Sequence, residues 1–222
     1  MPYLDLVFFD SVPDLKLLAK KLGQDFIVCK AFKNDFELKQ LREKLAGTGF
    51  KTCHLMQNAN MQELQKFRQK ADYIAVYGKN VQRNKFACST DRVDFLLMPC
   101  SDSKKPEFDA GLARLAAENN VCIALCFSEM LNAGPRMLED YFRNYIFTFK
   151  VCKKYNVPFT VFSAAKTASE ARQAKDFSSM LCMLGIQRET ALEKIRGLSG
   201  FLEKKGKLDG FEVIEGKEGA GK

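Results

Sequence analysis

The sequence lacks the motifs of several large enzyme classes. It has no G-x-G-x-x-G after its first predicted strand and no Walker loop, so we expect no nucleotide cradle. It has no G-x-S-x-G, and its single histidine, His54, lies in an apolar segment, which indicates a structural or pocket-lining role. One imidazole cannot supply a multinuclear zinc or manganese site. We therefore predict that this chain has no catalytic residue and binds no metal ion or other cofactor.

Long apolar runs and closely spaced cysteine pairs are also missing. No apolar run reaches the roughly 18 residues that cross a bilayer, and residues 1–10 read as a strand rather than a signal peptide. None of the 8 cysteines belongs to a C-x-x-C pair, and several lie inside apolar runs, where a thiol behaves as a small hydrophobic group. These features predict a cytoplasmic protein with free cysteines and no membrane partner.

The chain is rich in positive charge, with a formal net charge of +8 and a pI near 9.0. This balance favours a polyanionic partner such as RNA or DNA, because each neutralised phosphate releases condensed counterions. Many basic proteins bind no nucleic acid, so a surface of ordinary solvated lysines is an open alternative.

Seven short apolar runs alternate with amphipathic segments along the chain. They cover residues 4–9, 26–32, 50–56, 73–77, 93–98, 121–127 and 158–162. Several runs are apolar at nearly every position, which is typical of parallel strands buried on both faces. The alternation predicts an α/β fold, either a TIM-like barrel with about seven parallel strands or an open doubly wound sheet.

We predict one domain over residues 1–204, followed by a flexible Gly/Lys-rich tail over residues 205–222. Beyond the seventh run, the pattern predicts two or three helices: over residues 169–184, over 188–195 and, as the third, over 197–204.

The loops that follow the predicted strands are rich in basic and amide side chains, among them Lys79 and Lys166. Functional groups of such barrels lie in these loops. The acidic residues there, Asp10, Asp102 and Glu129, are too dispersed to act as paired carboxylates. The loops are therefore better suited to holding phosphates than to activating water.

Three segments carry a resemblance: DRVDFLLMP, DAGLARLAAENNVCIALCFSEML and VPFTVFSAAKTASEARQAKD. They are similar to the archaeal ribonuclease P protein component 3 family. The resemblance implies a barrel related to the polymerase-and-histidinol-phosphatase phosphoesterases, whose first strand carries H-x-H. Here Val7 and Phe9 stand where the imidazoles would lie, so the metal-binding chemistry is missing. Ala164 stands where the family usually has glycine, which puts the turn geometry there in question.

The resemblance implies a subunit of ribonuclease P, the ribonucleoprotein that removes the 5′ leader from precursor tRNA. In that enzyme the RNA holds Mg²⁺ and performs the hydrolysis, so the protein would bind and support the RNA. The implied partners are the RNase P RNA, precursor tRNA, RNase P protein component 2 and other RNase P proteins. The alternatives are a metal-dependent phosphoesterase on a related barrel and another cytosolic barrel protein.

Cationic side chains in or beside the resembling segments are the candidate contacts to RNA or to a partner protein. They are Arg83, Arg92, Arg114, Lys166 and Arg172, with Lys79 and Asp176 in supporting roles. Arginine suits this role because its planar fork binds two phosphate oxygens at once. Asp176, four residues after Arg172, is predicted to hold that guanidinium. Arg92 and Arg114 could instead pair with nearby carboxylates and serve the fold.

Overall fold

A computed structural model describes residues 3–100 and 106–209 and contains a seven-stranded parallel sheet. The strands are β1 (Tyr3–Val7), β2 (Gln24–Lys30), β3 (Lys51–Met56), β4 (Tyr73–Tyr77), β5 (Phe95–Leu97), β6 (Cys122–Cys126) and β7 (Phe159–Phe162). They are hydrogen-bonded in chain order from β1 to β7 and form a nearly closed barrel. The predicted TIM-like barrel of about seven strands is therefore confirmed.

The strands are apolar throughout because both of their faces are covered. All five residues of β6, with the sequence CIALC, are buried. Inside the barrel the aromatic rings pack edge to face, as in the pair Phe95 and Phe162, whose ring centroids are 5.3 Å apart. Helices cover the outer face, which is the usual arrangement of a parallel sheet.

Helices connect the strands and follow the last one. They are α1 (Val12–Leu22), α2 (Asp35–Leu45), α3 (Met61–Arg68), α4 (Val81–Cys88), α5 (Ala110–Glu118), α6 (Phe127–Leu131), α7 (Pro135–Lys154), α8 (Ala174–Met183) and α9 (Arg188–Asp209). Four of them begin at a side chain that accepts a hydrogen bond from a first-turn N–H group: Asn34, Asn60, Asn80 and Asp109. Such caps satisfy backbone donors that have no partner inside the helix.

The barrel closes where the C-terminal ends of β1 and β7 meet. Val7 pairs with Ala165 in a parallel bridge, and the Ala164 N–H donates to the Leu6 carbonyl at 2.9 Å. Ala164 has a φ of 49°, in the left-handed region that favours glycine. The turn that the family makes with glycine is therefore made here with alanine.

Buried polar side chains of β1 also join that strand to β7 and to Ser163, the residue that follows β7. Asp5 Oδ1 accepts the Ser163 N–H at 2.7 Å, and Asp5 Oδ2 lies 3.4 Å from Gln24 Nε2. The Tyr3 hydroxyl donates to the Val161 carbonyl at 2.6 Å. Burial raises the pKa of Asp5 to about 7, and the hydrogen bonds from Ser163 oppose that rise.

Helix α9 packs against the N-terminal ends of the strands. It lies beside Leu4, Asp25, Lys51 and Tyr73, at or next to the first residues of β1 to β4. The predicted helix end at residue 195 and the separate third helix over 197–204 were wrong, because residues 188–209 form one helix. One buried apolar stripe passes Gly197 and Gly200 without interruption, and packing of that stripe outweighs the weak helix propensity of glycine. The stripe contains Ala191, Ile195, Leu198 and Leu202.

The predicted tail over residues 205–222 starts inside this helix. Helix α9 continues to Asp209, and Lys205 is only 4% exposed. Lys205 extends the buried stripe of α9 at the same helical spacing, so the barrel covers it. Residues 210–222 lie outside the described residues.

Two further sequence predictions can be compared with the structure. All eight cysteines are free thiols, as predicted, and seven of them are buried. Within residues 3–100 and 106–209, no helix is long and apolar enough to cross a membrane.

Candidate functional site

Two lysines and one glutamate meet at the C-terminal ends of the strands. Lys79 follows β4, Glu129 lies in α6 after β6, and Lys166 follows β7. The Glu129 carboxylate lies 3.5 Å from Lys79 Nζ and 3.6 Å from Lys166 Nζ. We call these three residues the rim cluster. Its net charge is positive, and each ammonium carries three donors, so donors remain for a further anion.

The backbone at Gly78 fixes the position of Lys79. The Gly78 N–H donates to the Leu97 carbonyl at 2.8 Å, and the Lys79 N–H donates to the Met98 carbonyl at 3.0 Å. A Cβ atom at residue 78 would lie 2.5 Å from Asn84 Oδ1 and 2.7 Å from the Met98 carbonyl oxygen. Only glycine fits at residue 78, and Lys79 follows with a φ of 66°.

A second ion pair, between Asp10 and Lys30, lies at the same end of the barrel. Lys30 ends β2 and Asp10 follows β1, and their charged atoms are 3.5 Å apart. Arg83 also belongs to this end, because it lies in the first turn of α4, where its N–H donates to the Asn80 cap. Lys79, Lys166 and Arg83 therefore all lie at the C-terminal end of the barrel, and the structure joins the two lysines through Glu129.

Arg92 and Arg114 lie away from that face. Arg92 is exposed and precedes β5, so it lies at the N-terminal end of the barrel. Arg114 is exposed on α5, with its guanidinium carbon 5.3 Å from the centre of the Tyr155 ring. Asp94, the carboxylate two residues after Arg92, contacts Arg68 Nη1 at 2.6 Å and accepts the Ile74 N–H at 2.7 Å. Arg92 and Arg114 could instead have paired with neighbouring carboxylates. Among the described residues, neither arginine forms such an ion pair.

The predicted contact between Arg172 and Asp176 is wrong. Helix α8 begins only at Ala174, so Arg172 precedes the helix and the two side chains do not share a helical face. Asp176 is the third residue of that helix and accepts the N–H of the capping residue Gln173 at 3.1 Å. The Arg172 guanidinium instead donates to the carbonyls of Ser169 and Ala171, at 2.8 and 2.9 Å.

His54 has a structural role, as its sequence context indicated. It is fully buried, and its Nδ1 accepts the Phe32 N–H at 3.3 Å. Its Nε2 lies 2.9 Å from Glu63 Oε1, and its ring stacks on Phe67 with centroids 3.8 Å apart. Burial lowers the pKa of His54 below its ordinary value, although the Glu63 hydrogen bond acts in the opposite direction.

In the described part of the chain, no group of three or more His, Cys, Asp or Glu side chains could hold a metal ion. At the two positions that correspond to H-x-H, Val7 is fully buried and Phe9 is packed against the core.

Sequence reasoning missed two buried ionic groups, Asp5 and Lys205. Asp5 interrupts an apolar strand, which is a sign of a buried polar contact. Lys205 continues the apolar stripe of α9, and this spacing could have identified it. The role of Glu129 in joining Lys79 to Lys166 needed the topology, because the three residues are far apart in the chain.

Comparisons with known proteins place the sequence in a family. A profile of a family described as RNase P subunit p30 matches residues 52–204, more than half of the chain. Ribonuclease P protein component 3 of Methanothermobacter thermautotrophicus is 29% identical over 130 residues, 59% of this chain and 53% of that protein. Its counterpart in Thermococcus kodakarensis is 32% identical over 114 residues, 51% of each protein. The chain thus spans about half the length of these curated relatives.

Solved structures give the same fold. A chain of an archaeal ribonuclease P bound to mature tRNA, solved by cryo-electron microscopy, matches with a TM-score of 0.80 and 23% identity. The match covers 97% of this chain and 99% of that chain. The citrate synthase SbnG matches with a TM-score of 0.52 and 12% identity over 93% of this chain and 94% of its own, and this likeness is one of fold alone. The profile match shows that this chain belongs to the RNase P subunit p30 family.

Proposed function

We propose that this chain is a protein subunit of ribonuclease P, the ribonucleoprotein that removes the 5′ leader from precursor tRNA. The protein binds and supports the RNA subunit, which performs the hydrolysis, and the polypeptide is not itself catalytic. The family match over residues 52–204 carries this proposal. The compartment we propose is the cytoplasm.

The distribution of charge supports an RNA-binding role. The net charge is +8, and the C-terminal face presents Lys79 and Lys166 on either side of Glu129, with Arg83 in the first turn of α4 at the same end. Lys166 keeps 59% of its side chain exposed although it contacts Glu129, so its ammonium can reach a phosphate. Protein cations replace metal counterions on folded RNA, and the protein therefore lowers the Mg²⁺ concentration that the RNA requires. Mg²⁺ itself is bound by the RNA in this proposal.

The proposed partners are the RNase P RNA, precursor tRNA, RNase P protein component 2 and the other RNase P proteins. Arg92, Arg114 and Arg172 lie outside the rim cluster and at different places on the barrel, so we assign each of them to a further contact with RNA or with a partner protein. In this arrangement the barrel bridges different parts of one assembly.

The test is reconstitution of precursor-tRNA cleavage from the RNA and the proteins, with and without this chain, across a Mg²⁺ series. We expect omission of the chain to raise the Mg²⁺ concentration needed for half-maximal cleavage. Cleavage that is unchanged at every Mg²⁺ concentration would contradict the proposed function.

A further inference from the structure

A pocket of about 630 Å³ lies at the N-terminal end of the barrel, opposite the rim cluster. It is bounded by the end of α5, the segment between α7 and β7, and one side of α9. Its floor is apolar and buried, with Val157, Phe159 and Leu198. Exposed polar residues stand at its edge, namely Asn120, Asn156 and Glu193.

Tyr155 forms one wall of this pocket and carries two cations on its ring. The guanidinium carbon of Arg114 lies 5.3 Å from the ring centre, and Lys154 Nζ lies 5.6 Å from it. Both cations are exposed, and neither forms an ion pair with another residue in the described ranges. This distinguishes them from Lys79 and Lys166, which share the carboxylate of Glu129.

The two asparagines at the edge end their helices in the same way. Asn120 follows α5 with a φ of 51°, and Asn156 follows α7 with a φ of 54°. Left-handed residues at this position stop a helix, and asparagine tolerates the conformation. Their backbones are fixed by these turns, while both side chains remain exposed beside the pocket.

The chemistry of the pocket matches a nucleotide. An apolar floor beside an aromatic ring suits the faces of a base, and exposed amides and a carboxylate suit its polar edge. Uncompensated cations next to the ring suit a phosphate, and Glu193 disfavours a phosphate on its own side of the pocket. A paired base does not expose its face, so the nucleotide must be unpaired.

We propose that this pocket binds one unpaired nucleotide of RNA, with the base against Tyr155 and the phosphate on Arg114 and Lys154. This inference rests on the proposed function, since it assumes an RNA partner. It gives Arg114 a defined role and adds a second RNA contact at the opposite end of the barrel from the rim cluster.

The absence of tryptophan from the chain allows a direct test. In the full chain, Tyr155→Trp introduces a single indole into the pocket wall. Addition of a short single-stranded RNA oligonucleotide should quench its fluorescence in a saturable manner, whereas the matching duplex should not. The matched control is Leu17→Trp, because Leu17 is 65% exposed on α1 and does not line the pocket.

Affinity measurements on labelled single-stranded RNA give a second test. Tyr155→Ala should weaken binding about tenfold, within the range for one stacked base, and Tyr155→Phe should restore most of it. Arg114→Ala should weaken binding and reduce the salt dependence by about one unit, whereas Lys16→Ala, an exposed lysine on α1, should have less effect. Melting curves of each variant separate a binding defect from unfolding.

Several results would overturn the proposal. Equal quenching in both tryptophan variants, equal affinity of Tyr155→Ala and the parent chain, or stronger quenching by duplex RNA would each exclude an unpaired nucleotide in the pocket. A fluorescence change caused by a partner protein and not by RNA would identify a protein-binding site instead. If these tests fail while reconstituted cleavage still depends on the chain, the pocket assignment is wrong and the proposed function stands.

Discussion

Lys205 and Asp94 form a buried ion pair that joins the last helix to the base of the barrel. Lys205 Nζ lies 3.8 Å from Asp94 Oδ1, and the two side chains are 4% and 3% exposed. The same ammonium donates to the carbonyls of Val93 and Asn120, beside the first residues of β5 and β6. Burial lowers the pKa of Lys205, while the charge of Asp94 acts to raise it.

We predict that Lys205→Met lowers the free energy of unfolding by about 2 kcal/mol, because two buried carbonyls lose their donor while the apolar stem is kept. For a chain of this size, this loss corresponds to a decrease of about 4–8 °C in melting temperature. The control variant Lys16→Met, at an exposed position on α1, should change the melting temperature little. A chain ending after Lys204 should show a similar loss relative to one ending after Asp209. Equal melting temperatures for the two truncated chains would contradict this role for Lys205.

The fold was largely predictable because its main signal is local. Buried parallel strands are apolar at nearly every position, and seven such runs identified all seven strands. The strand predicted over 93–98 is shorter in the structure, Phe95–Leu97, although the Asp94 N–H still donates to the Ile74 carbonyl and the Cys122 N–H to the Asp94 carbonyl, both at 2.9 Å. The end of α9 was missed because Lys205, next to glycine in the sequence, is typical of a flexible tail. Only its spacing from the apolar stripe of α9 indicates that this lysine is buried.

Asp5 should make stability depend on pH in a defined direction. Its folded pKa is about 7, against 3.8 as the ordinary value, so the folded chain holds a proton that the unfolded chain releases. The contribution of protonated Asp5 to the free energy of unfolding is fully present below about pH 4 and is lost as the pH rises to about 7. Above that pH the free energy of unfolding no longer changes because of Asp5. Since one pKa unit corresponds to about 1.4 kcal/mol, the total loss is about 4 kcal/mol at most.

Asp5→Asn should flatten this dependence, because asparagine still accepts the Ser163 N–H but cannot ionise. The measurement is urea unfolding of both chains at several pH values between 4 and 8. A difference in unfolding free energy that does not grow with pH would show that Asp5 titrates normally in the folded chain.

His54 should act on stability and not on catalysis. The pKa of His54 in the folded chain lies below 6.5. As the pH falls, His54 therefore binds a proton at a higher pH in the unfolded chain than in the folded chain, and the free energy of unfolding decreases below about pH 6.5. His54→Ala should lower the free energy of unfolding by about 3 kcal/mol, since it removes the ring that stacks on Phe67 and leaves the buried Phe32 N–H without its acceptor.

The purified chain should cleave neither precursor tRNA nor a phosphomonoester with Mg²⁺ or Mn²⁺. Metal-dependent turnover that is lost in His54→Ala would contradict this assignment.

Ala164 can be tested against its neighbour Ala165, because both are fully buried and only Ala164 is left-handed. Alanine in that region is strained by about 1 kcal/mol, and Ala164→Gly removes the strain while losing one buried methyl group. We therefore expect Ala164→Gly to change the unfolding free energy by less than about 1 kcal/mol. Ala165→Gly should cost more, because it loses the methyl group with no strain to relieve. Equal losses at both positions would indicate that residue 164 is not strained.

The site was less predictable than the fold because surface placement depends on topology. Sequence similarity selected Lys79, Arg83, Arg92, Arg114, Lys166 and Arg172 as one set, but strand ends and strand beginnings lie at opposite ends of the barrel. Residues that follow strands, such as Lys79 and Lys166, therefore separate from Arg92, which precedes one. The spacing rule for Asp176 failed because it applies only when both residues lie within the helix.

Substitutions in the rim cluster should shift the Mg²⁺ requirement of reconstituted cleavage in opposite directions. Lys166→Ala removes a charge that is 59% exposed, so it should leave the melting temperature nearly unchanged, since exposed ion pairs contribute little to stability. In reconstituted cleavage this variant should raise the Mg²⁺ requirement and reduce the salt dependence by about one unit, as the loss of one phosphate contact does.

Glu129→Gln should lower the Mg²⁺ requirement, because it frees both ammonium groups from their shared carboxylate. Lys16→Ala is the control for a change in net charge alone. If Lys166→Ala matches that control at every Mg²⁺ concentration, the rim cluster does not contact the RNA; if Glu129→Gln instead raises the requirement, the glutamate acts mainly by positioning the two lysines.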